Sequence, residues 1–204
     1  MSRIIVDSIR NSSAGSDGIT LSSDGKVAFP NTSTGKILQV ITNTTQNSTG
    51  SVSCSVSRTY YDIPDQNVTI TPTSSTSKIL ISFQELGEFS SSAHSYNFAL
   101  ERSISGGATT LIQGDIGSDS NKSAQFTQPL ATYHGDDNDT TVEIAHCSNY
   151  LDSPATTSAV TYKTKVRRHE GGTGTYYYNR TVRDDNANHS DRGLSWITVM
   201  EVAA

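Results

Sequence analysis

At 204 residues, a net charge of -5 and only 33% hydrophobic residues, the chain has room for one β domain and a short extra module, with a core thin for its surface. No basic cluster is longer than Lys165-Val166-Arg167-Arg168, so nucleic-acid binding by phosphate neutralisation is not expected. No apolar stretch reaches membrane-spanning length, so no membrane insertion is expected. Residues 1–20 lack a signal-peptide apolar region, and folding in a cytosol is expected. Nine tyrosines and five phenylalanines, set among regular β-branched segments, argue against disorder.

Residues 1–38 differ in composition from the rest. Four tiny strands are expected, at Ile4–Val6, Ile19–Leu21, Lys26–Phe29 and Lys36–Leu38. The Asp-Gly pairs Asp17-Gly18 and Asp24-Gly25 mark tight turns between them. So few apolar side chains cannot close a core in one chain, whereas interleaving with two further copies, as in a triple-stranded β shaft, would bury them. The segment reads as a shaft or attachment peg, with Ile4, Ile5, Val6 and Ile9 as its candidate docking side chains. Chain entropy is hard for a thin core to outweigh, which makes sharing it with other copies attractive.

Residues 39–204 form the second expected domain. Val40-Ile41 is a short strand signal, and TNTTQNSTGS reads as a polar linker. In SVSCSVSRTYYDI the residues Val52, Cys54 and Val56 share one face at period two, and Asp62-Ile63-Pro64-Asp65 reads as a turn. ITPTSSTSKILISF, from Ile70 to Phe83, ends in a brief run rich in branched side chains, the mark of a buried strand. NFALERSI, TTLIQGDI, TVEIAHCS, SAVTYKTKV and LSWITVMEV continue the series, and Ile104-Ser105-Gly106-Gly107-Ala108 is expected to turn a hairpin. Ala124 to Leu130 is a weaker strand. Strands at short intervals with no helix between them imply antiparallel pairing, and an all-β, jelly-roll-like two-sheet sandwich is the most economical architecture. Cys54 and Cys147 each lie in a strand-like segment, where a reduced buried thiol acts as a small apolar residue; spacing alone leaves a bridge between them open.

IIVDSIRN…GITLSSDGKVAFP resembles the N-terminal segment of tail-fibre-like proteins in tailed phages of marine bacteria and cyanobacteria. ITPTSSTSKILISF resembles that family's Ile-Thr-Pro, Ser/Thr and Ser-Lys-Ile-Leu sequence. YLDSPATTSAVTYKTKV, Tyr178-Asn179-Arg180 and SWITVMEVAA are similar to further family segments, in the expected order. The resemblance implies a homotrimeric virion fibre, made in the host cytoplasm and exposed on the particle. Its N-terminal part would dock on other virion proteins and its C-terminal β domain would form the tip. Residues 87–95 and 115–139 depart from the family pattern, so the tip's ligand, a host surface glycan or protein, stays open.

Candidate chemistry is sparse. His94, His134, His146, His169 and His189 have no metal-ligand spacing, and no cofactor is expected. Gly135-Asp136-Asp137-Asn138-Asp139 has the oxygen-rich composition of a calcium loop, although Asp-Asn runs are commonly plain turns. Among Glu85, Glu88, Glu101, Glu143, Asp115 and Asp136 nothing selects a catalytic pair, and no nucleophile, phosphate or metalloprotease motif occurs; no enzyme is expected. The best functional signal is EGGTGTYYYNRTVRDDNANHSDRG, residues 170–193. Three tyrosines in a row cannot all face a core: Tyr176 and Tyr178 point one way and Tyr177 the other. Exposed rings stack on sugars while Asn and Arg orient them, so Tyr133, His134, Tyr177, Asn179 and Arg180 are the candidate receptor contacts; subunit packing is the competing role for the tyrosines. Trp196 shares a face with Thr198, Met200 and Val202 and is expected in core or interface. The leading expectation is an adhesive fibre. A capsid head fibre or decoration protein is the second, and a free-standing lectin-like module, which has no use for an open-ended segment 1–38, the third.

Overall fold

The computed structural model describes residues 8–9, 19–21, 23, 27–28, 36–44, 48–91, 95–113, 125–130, 142–169, 172–188 and 190–204. Ile4, Ile5, Val6, Tyr133, His134 and the acidic loop 135–139 lie outside them. The chain divides into two units, Met1–Lys36 (with Ala204) and Ile37–Ala203.

In the first unit, β1 (Ser8–Ile9), β2 (Ile19–Leu21) and β3 (Val27–Ala28) form a three-stranded antiparallel sheet. Ile9 pairs with Ile19, and Leu21 with Val27.

The second unit is an antiparallel β-sandwich. Its strands are β4 (Ile37–Thr44), β5 (Gly50–Cys54), β6 (Tyr61–Ile70), β7 (Lys78–Phe89), β8 (Tyr96–Ile104), β9 (Thr109–Ile112), β10 (Glu143–Asp152), β11 (Val160–Arg168), β12 (Gly174–Tyr178) and β13 (Trp196–Val202). One sheet runs β4-β13-β7-β12-β5, with β10 also on β7; the other runs β6-β11-β8-β9. β13 pairs with Lys78–Gln84 of β7 and β12 with Gly87–Phe89, while β10 spans Ile79–Gly87. β13 and β12 therefore follow one another along one edge of β7, and β10 takes the other.

Three expectations shift. Ile37 and Leu38 belong to the sandwich, and β4 continues through Thr42-Asn43-Thr44, read from sequence as linker. Tertiary bonds explain the extension: Asn43 Nδ2 donates to the Asp65 and Asn67 carbonyls, both at 2.7 Å, and Thr42 and Thr198 hydroxyls meet at 2.9 Å. Pro64 lies inside β6 rather than in a turn. β6 is an edge strand, where a missing N–H costs no ladder bond, and Asp65 at φ 63° marks the irregularity. Residues 125–130 contribute only isolated bridges, Phe98–Thr127 and Leu130–Ile144. The hairpin at Ile104–Ala108 forms as expected, with the Ile104 N–H on the Ala108 carbonyl at 3.1 Å and Gly106 at φ 71°.

Inward side chains gather in two clusters. One holds Val52, Cys54, Ile63, Phe89, Tyr96, Phe98, Val166 and Tyr176; the other holds Val68, Ile70, Ile79, Ile81, Phe83, Leu100, Tyr162, Ile197 and Val199. Cys54 and Cys147 are free thiols on different clusters. A polar layer separates the clusters on three strands. Glu85 follows Phe83 on β7, Thr164 follows Tyr162 on β11, and Gln66 precedes Val68 on β6. All three are buried. Thr164 donates to Glu85 Oε1, and burial pushes the Glu85 carboxyl up to about 8.

Glu201, inward on β13, has the opposite setting. It accepts from Thr73 N, Thr73 Oγ1 and Gln39 Nε2, each at 2.7 Å. Burial opposes its charge, but hydrogen bonds from Ser77, Gln39 and Thr73 prevail and hold the carboxyl at about 2. One carboxylate thus fastens the Thr-Pro-Thr-Ser-Ser-Thr-Ser loop to the end of the sandwich. Because the folded value is depressed, this stabilisation is present above pH about 4.5 and is lost as pH falls toward 2. Glu201→Ala is expected to lower stability at pH 7 by about 2 to 4 kcal/mol, the scale for several charged hydrogen bonds lost together in a partly buried setting. Urea unfolding checks it, and Glu201→Gln should also flatten the acid limb of the stability curve.

The outer face of the β6-β11-β8-β9 sheet is ionic. Lys165 Nζ lies 2.8 Å from both Asp62 Oδ1 and Glu101 Oε2, and Lys163 lies 3.3 Å from Asp62. Arg167 stacks over Tyr60 at 4.5 Å and gives its Nε to Asn97 Oδ1 at 2.7 Å. The basic run 165–168 is thus engaged locally along a strand.

Candidate functional site

The region read as functional, 170–193, supplies β12 and most of the connection to β13. Tyr176 and Tyr178 point into the core, 1% and 8% exposed, and Tyr177 faces outward and is half-buried. This is the alternation that period two requires. Gly87 permits the pairing, because a Cβ there would collide with the Tyr177 carbonyl and the Tyr176 ring.

Asn179 does not join Tyr177 on the surface. It is 1% exposed and adopts φ 59°. Its N–H donates to the Leu86 carbonyl at 2.7 Å, and Nδ2 donates to the Ser48 carbonyl at 2.7 Å. Its Oδ1 accepts from Ser195 N at 2.8 Å and Ser195 Oγ at 2.7 Å. Ser195 Oγ also accepts from Leu86 N at 2.9 Å. Asn179 and Ser195 therefore satisfy the backbone of Leu86 at the point where β12 has ended and β13 has not begun. Its place among the receptor contacts gives way to that of a bracket under the loop. Asn suits both demands, since it tolerates the left-handed region and carries a donor and an acceptor.

From this bracket the loop turns outward. Arg180 bridges Arg192, and Thr181 N donates to the Asp191 carbonyl at 3.2 Å, so residues 181–191 are pinched at their base. Val182 N donates to the buried Glu88 carboxylate, and Thr181 Oγ1 donates to the Arg183 carbonyl at 2.6 Å. Gly193 lies against Leu86, where any Cβ would overlap the leucine methyls. These contacts fix both ends of a loop made of short polar residues.

Tyr177 and Arg180, both expected contacts, do come together. The guanidinium sits 4.5 Å above the Tyr177 ring, a cation–π arrangement, and Nη1 donates to the Thr181 and Val182 carbonyls at 3.0 and 3.1 Å. That face of the ring is taken, so Tyr177 serves to prop Arg180 rather than to offer that face to a sugar. Arg180 leads on to Asp184 at 3.7 Å, and Asp184 is paired with Arg192.

Asp184, Asp185, Asn186, Ala187, Ser190 and Arg192 line a cleft of about 350 Å³. Arg183 Nε and Ser190 Oγ hold Asp185 at 3.0 and 2.6 Å, and Ser190 N closes a turn on the Ala187 carbonyl at 3.1 Å. Carboxylate acceptors, guanidinium and amide donors and a hydroxyl thus converge on a small, polar, open cleft, a donor and acceptor set matched to vicinal hydroxyl groups. Sequence reasoning stopped at Tyr177-Asn179-Arg180 and passed over Asp184, Asp185, Ser190 and Arg192. The available signal was the Arg183-Asp184-Asp185-Asn186 run with a second arginine, Arg192, beyond it, able to fold back on the acids.

No protein-family model matches the chain, and no curated protein matches it.

Proposed function

We propose that this chain is the fibre protein of a tailed-phage virion. Its residues 1–36 dock on other virion proteins, and the jelly-roll-like sandwich that begins at Ile37 forms the exposed tip, in homotrimers, on the particle surface. The tip binds a host surface glycan at the β12–β13 loop. The observation that carries the reading is the polar cleft of Asp184, Asp185, Asn186, Ser190 and Arg192, built on a loop braced from below by Asn179 and flanked by the Tyr177–Arg180 stack. Binding residues commonly sit on loops held by a rigid scaffold, and neutral sugars are recognised by convergent acceptors and donors of this kind. A small N-terminal β module preceding the sandwich in sequence suits a protein anchored through one module and reading a surface with the other.

The test is retention of the labelled full-length chain on arrays of bacterial surface polysaccharides and on intact cells. Asp185→Ala and Arg192→Ala are each expected to weaken binding by roughly 10- to 100-fold, the scale of losing one or two charged hydrogen bonds. Tyr177→Ala is expected to weaken it less, by releasing Arg180. Retention unaffected by any of the three would sink the assignment of the cleft, and no retention on any glycan or cell would sink the adhesive role.

A further inference from the structure

The two outer faces of the sandwich differ in chemistry. That of β6-β11-β8-β9 carries the Asp62, Glu101, Lys163, Lys165 and Arg167 network described above. On the other sheet, the register places Val40 opposite Met200, Met200 opposite Leu80, and Leu80 opposite Leu151, an apolar row across β4, β13, β7 and β10. Val40 is 55% exposed and Leu151 47%. The next row begins at Ile37 and Leu38, also exposed, and runs through Val202 to Lys78. Thr42, Thr198 and Ser82 follow on the far side, then Thr44, Trp196, Gln84 and His146. Trp196, Thr198, Met200 and Val202 therefore share a face, as the sequence indicated, but it is the outward one: Ile197, Val199 and Glu201 are buried. In a chain so poor in apolar residues, setting these on a solvent face is costly unless something covers them.

We propose that this face is where copies of the chain pack on one another, which deepens the homotrimer reading above by naming its surface. Charge favours a second copy as the occupant. Among these outward positions Lys78 is the one Asp, Glu, Lys or Arg, so three copies of the face brought together about a three-fold axis meet with little like-charge repulsion, which the ionic opposite face would not allow. The edge points the same way. β4 is the outermost strand of its sheet, its eight residues ILQVITNT contain no charge and no proline, and among the described residues no backbone pairs with its outer edge. Edges left without such blunting are ready to pair with another strand. Four strands at about 4.8 Å and seven residues at about 3.3 Å give a footprint of roughly 400 Å², about half of what each partner gives to a standard interface. Residues 1–36 lead directly into Ile37, so copies joined here also bring their N-terminal units into one assembly.

The test uses the full chain. Light scattering is expected to give a multiple of the single-chain mass, and the Val40→Glu/Leu151→Glu pair, which sets carboxylates in the apolar row, to weaken association by roughly 100-fold or more. Thr69→Glu, on the ionic face, should leave the mass unchanged. Labelling by a soluble maleimide decides the matter even if the double variant fails to fold. Leu151→Cys is expected to react at least roughly tenfold slower than Thr69→Cys in the native protein, and equally in denaturant, after subtraction of the wild-type background from Cys147. An oligomer with equal labelling, or one that survives the double substitution, overturns the assignment of the face while leaving the trimer standing. A single-chain mass with equal labelling overturns both. A single-chain mass with slow labelling shows that the chain covers its own face, which also overturns the proposal.

Discussion

Glu85→Gln is expected to make the protein more stable at pH 8 than the wild type and to flatten stability between pH 5 and 8. Glu85 is 1% exposed between the two apolar clusters, and its carboxyl is raised to about 8, chiefly by burial, against the lowering influence of hydrogen bonds from Thr164 and Gln66. Among the described residues Oε2 has no hydrogen-bond partner, nor do the buried Gln66 Oε1 and Tyr176 Oη. The sign follows from proton counting. Between pH about 4.5 and about 8 the folded chain holds a proton on Glu85 that the unfolded chain releases, so stability is full below that window and declines as pH rises through it. At about 1.4 kcal/mol per pH unit the wild type loses several kcal/mol, on the order of 4, by pH 8. Glutamine keeps the acceptor for Thr164 and cannot ionise. Denaturant midpoints for both proteins at pH 5, 6, 7 and 8 measure the difference. Parallel curves would show that Glu85 carries no proton in the fold and that the polar layer is ionic. With Glu201 drawing stability down below pH about 4.5, the wild type is expected to be most stable in mildly acid solution.

The second large effect is at the bracket. Asn179→Ala is expected to cost about 3 to 5 kcal/mol. It takes the acceptor from the buried Ser195 N–H and hydroxyl and the donor from the partly buried Ser48 carbonyl, at about 1 kcal/mol or more each, and puts a Cβ residue with no compensating side chain at φ 59°. Asn179→Gly removes the conformational part and should recover about 1 kcal/mol of the loss; Asn179→Asp keeps the acceptor for Ser195 but turns a carboxylate oxygen on the Ser48 carbonyl. Thermal and urea unfolding of the three variants gives the order. A cost for alanine within 1 kcal/mol of zero would mean that the loop closes without the bracket. Because Asn179 acts beneath the cleft, Asn179→Gly is further expected to weaken glycan retention in step with its loosening of residues 180–192, whereas Arg192→Ala weakens retention at little cost in stability.

Much of this fold was legible before any coordinates. Period-two alternation and turn residues placed strands within 19–21, 78–83, 97–104, 141–148, 158–166 and 194–202, which overlap β2, β7, β8, β10, β11 and β13, and gave the antiparallel all-β class, because alternation and tight-turn chemistry are local properties. The opposed directions of Tyr176 and Tyr177 came from the same rule. Tyr177 and Arg180, the part of the candidate site read from sequence, lie three positions apart and meet across one turn of chain.

Tertiary structure decided what local pattern leaves symmetric. Alternation splits Trp196–Val202 into two faces without saying which is covered; pairing of β13 between β4 and β7 turned Ile197 and Val199 inward and left Trp196 and Met200 outside. Pro64 looked like a turn until β6 took the edge of its sheet, where no partner asks for its N–H. Asn179 looked like a surface amide because its three partners, Ser48, Leu86 and Ser195, lie far from it in sequence and close only when β12 and β13 share an edge of β7. The cleft at Asp184–Arg192 and the contrary settings of Glu85 and Glu201 arise in the same way. A carboxylate's charge state depends on which distant groups surround it, and only the folded chain brings them there.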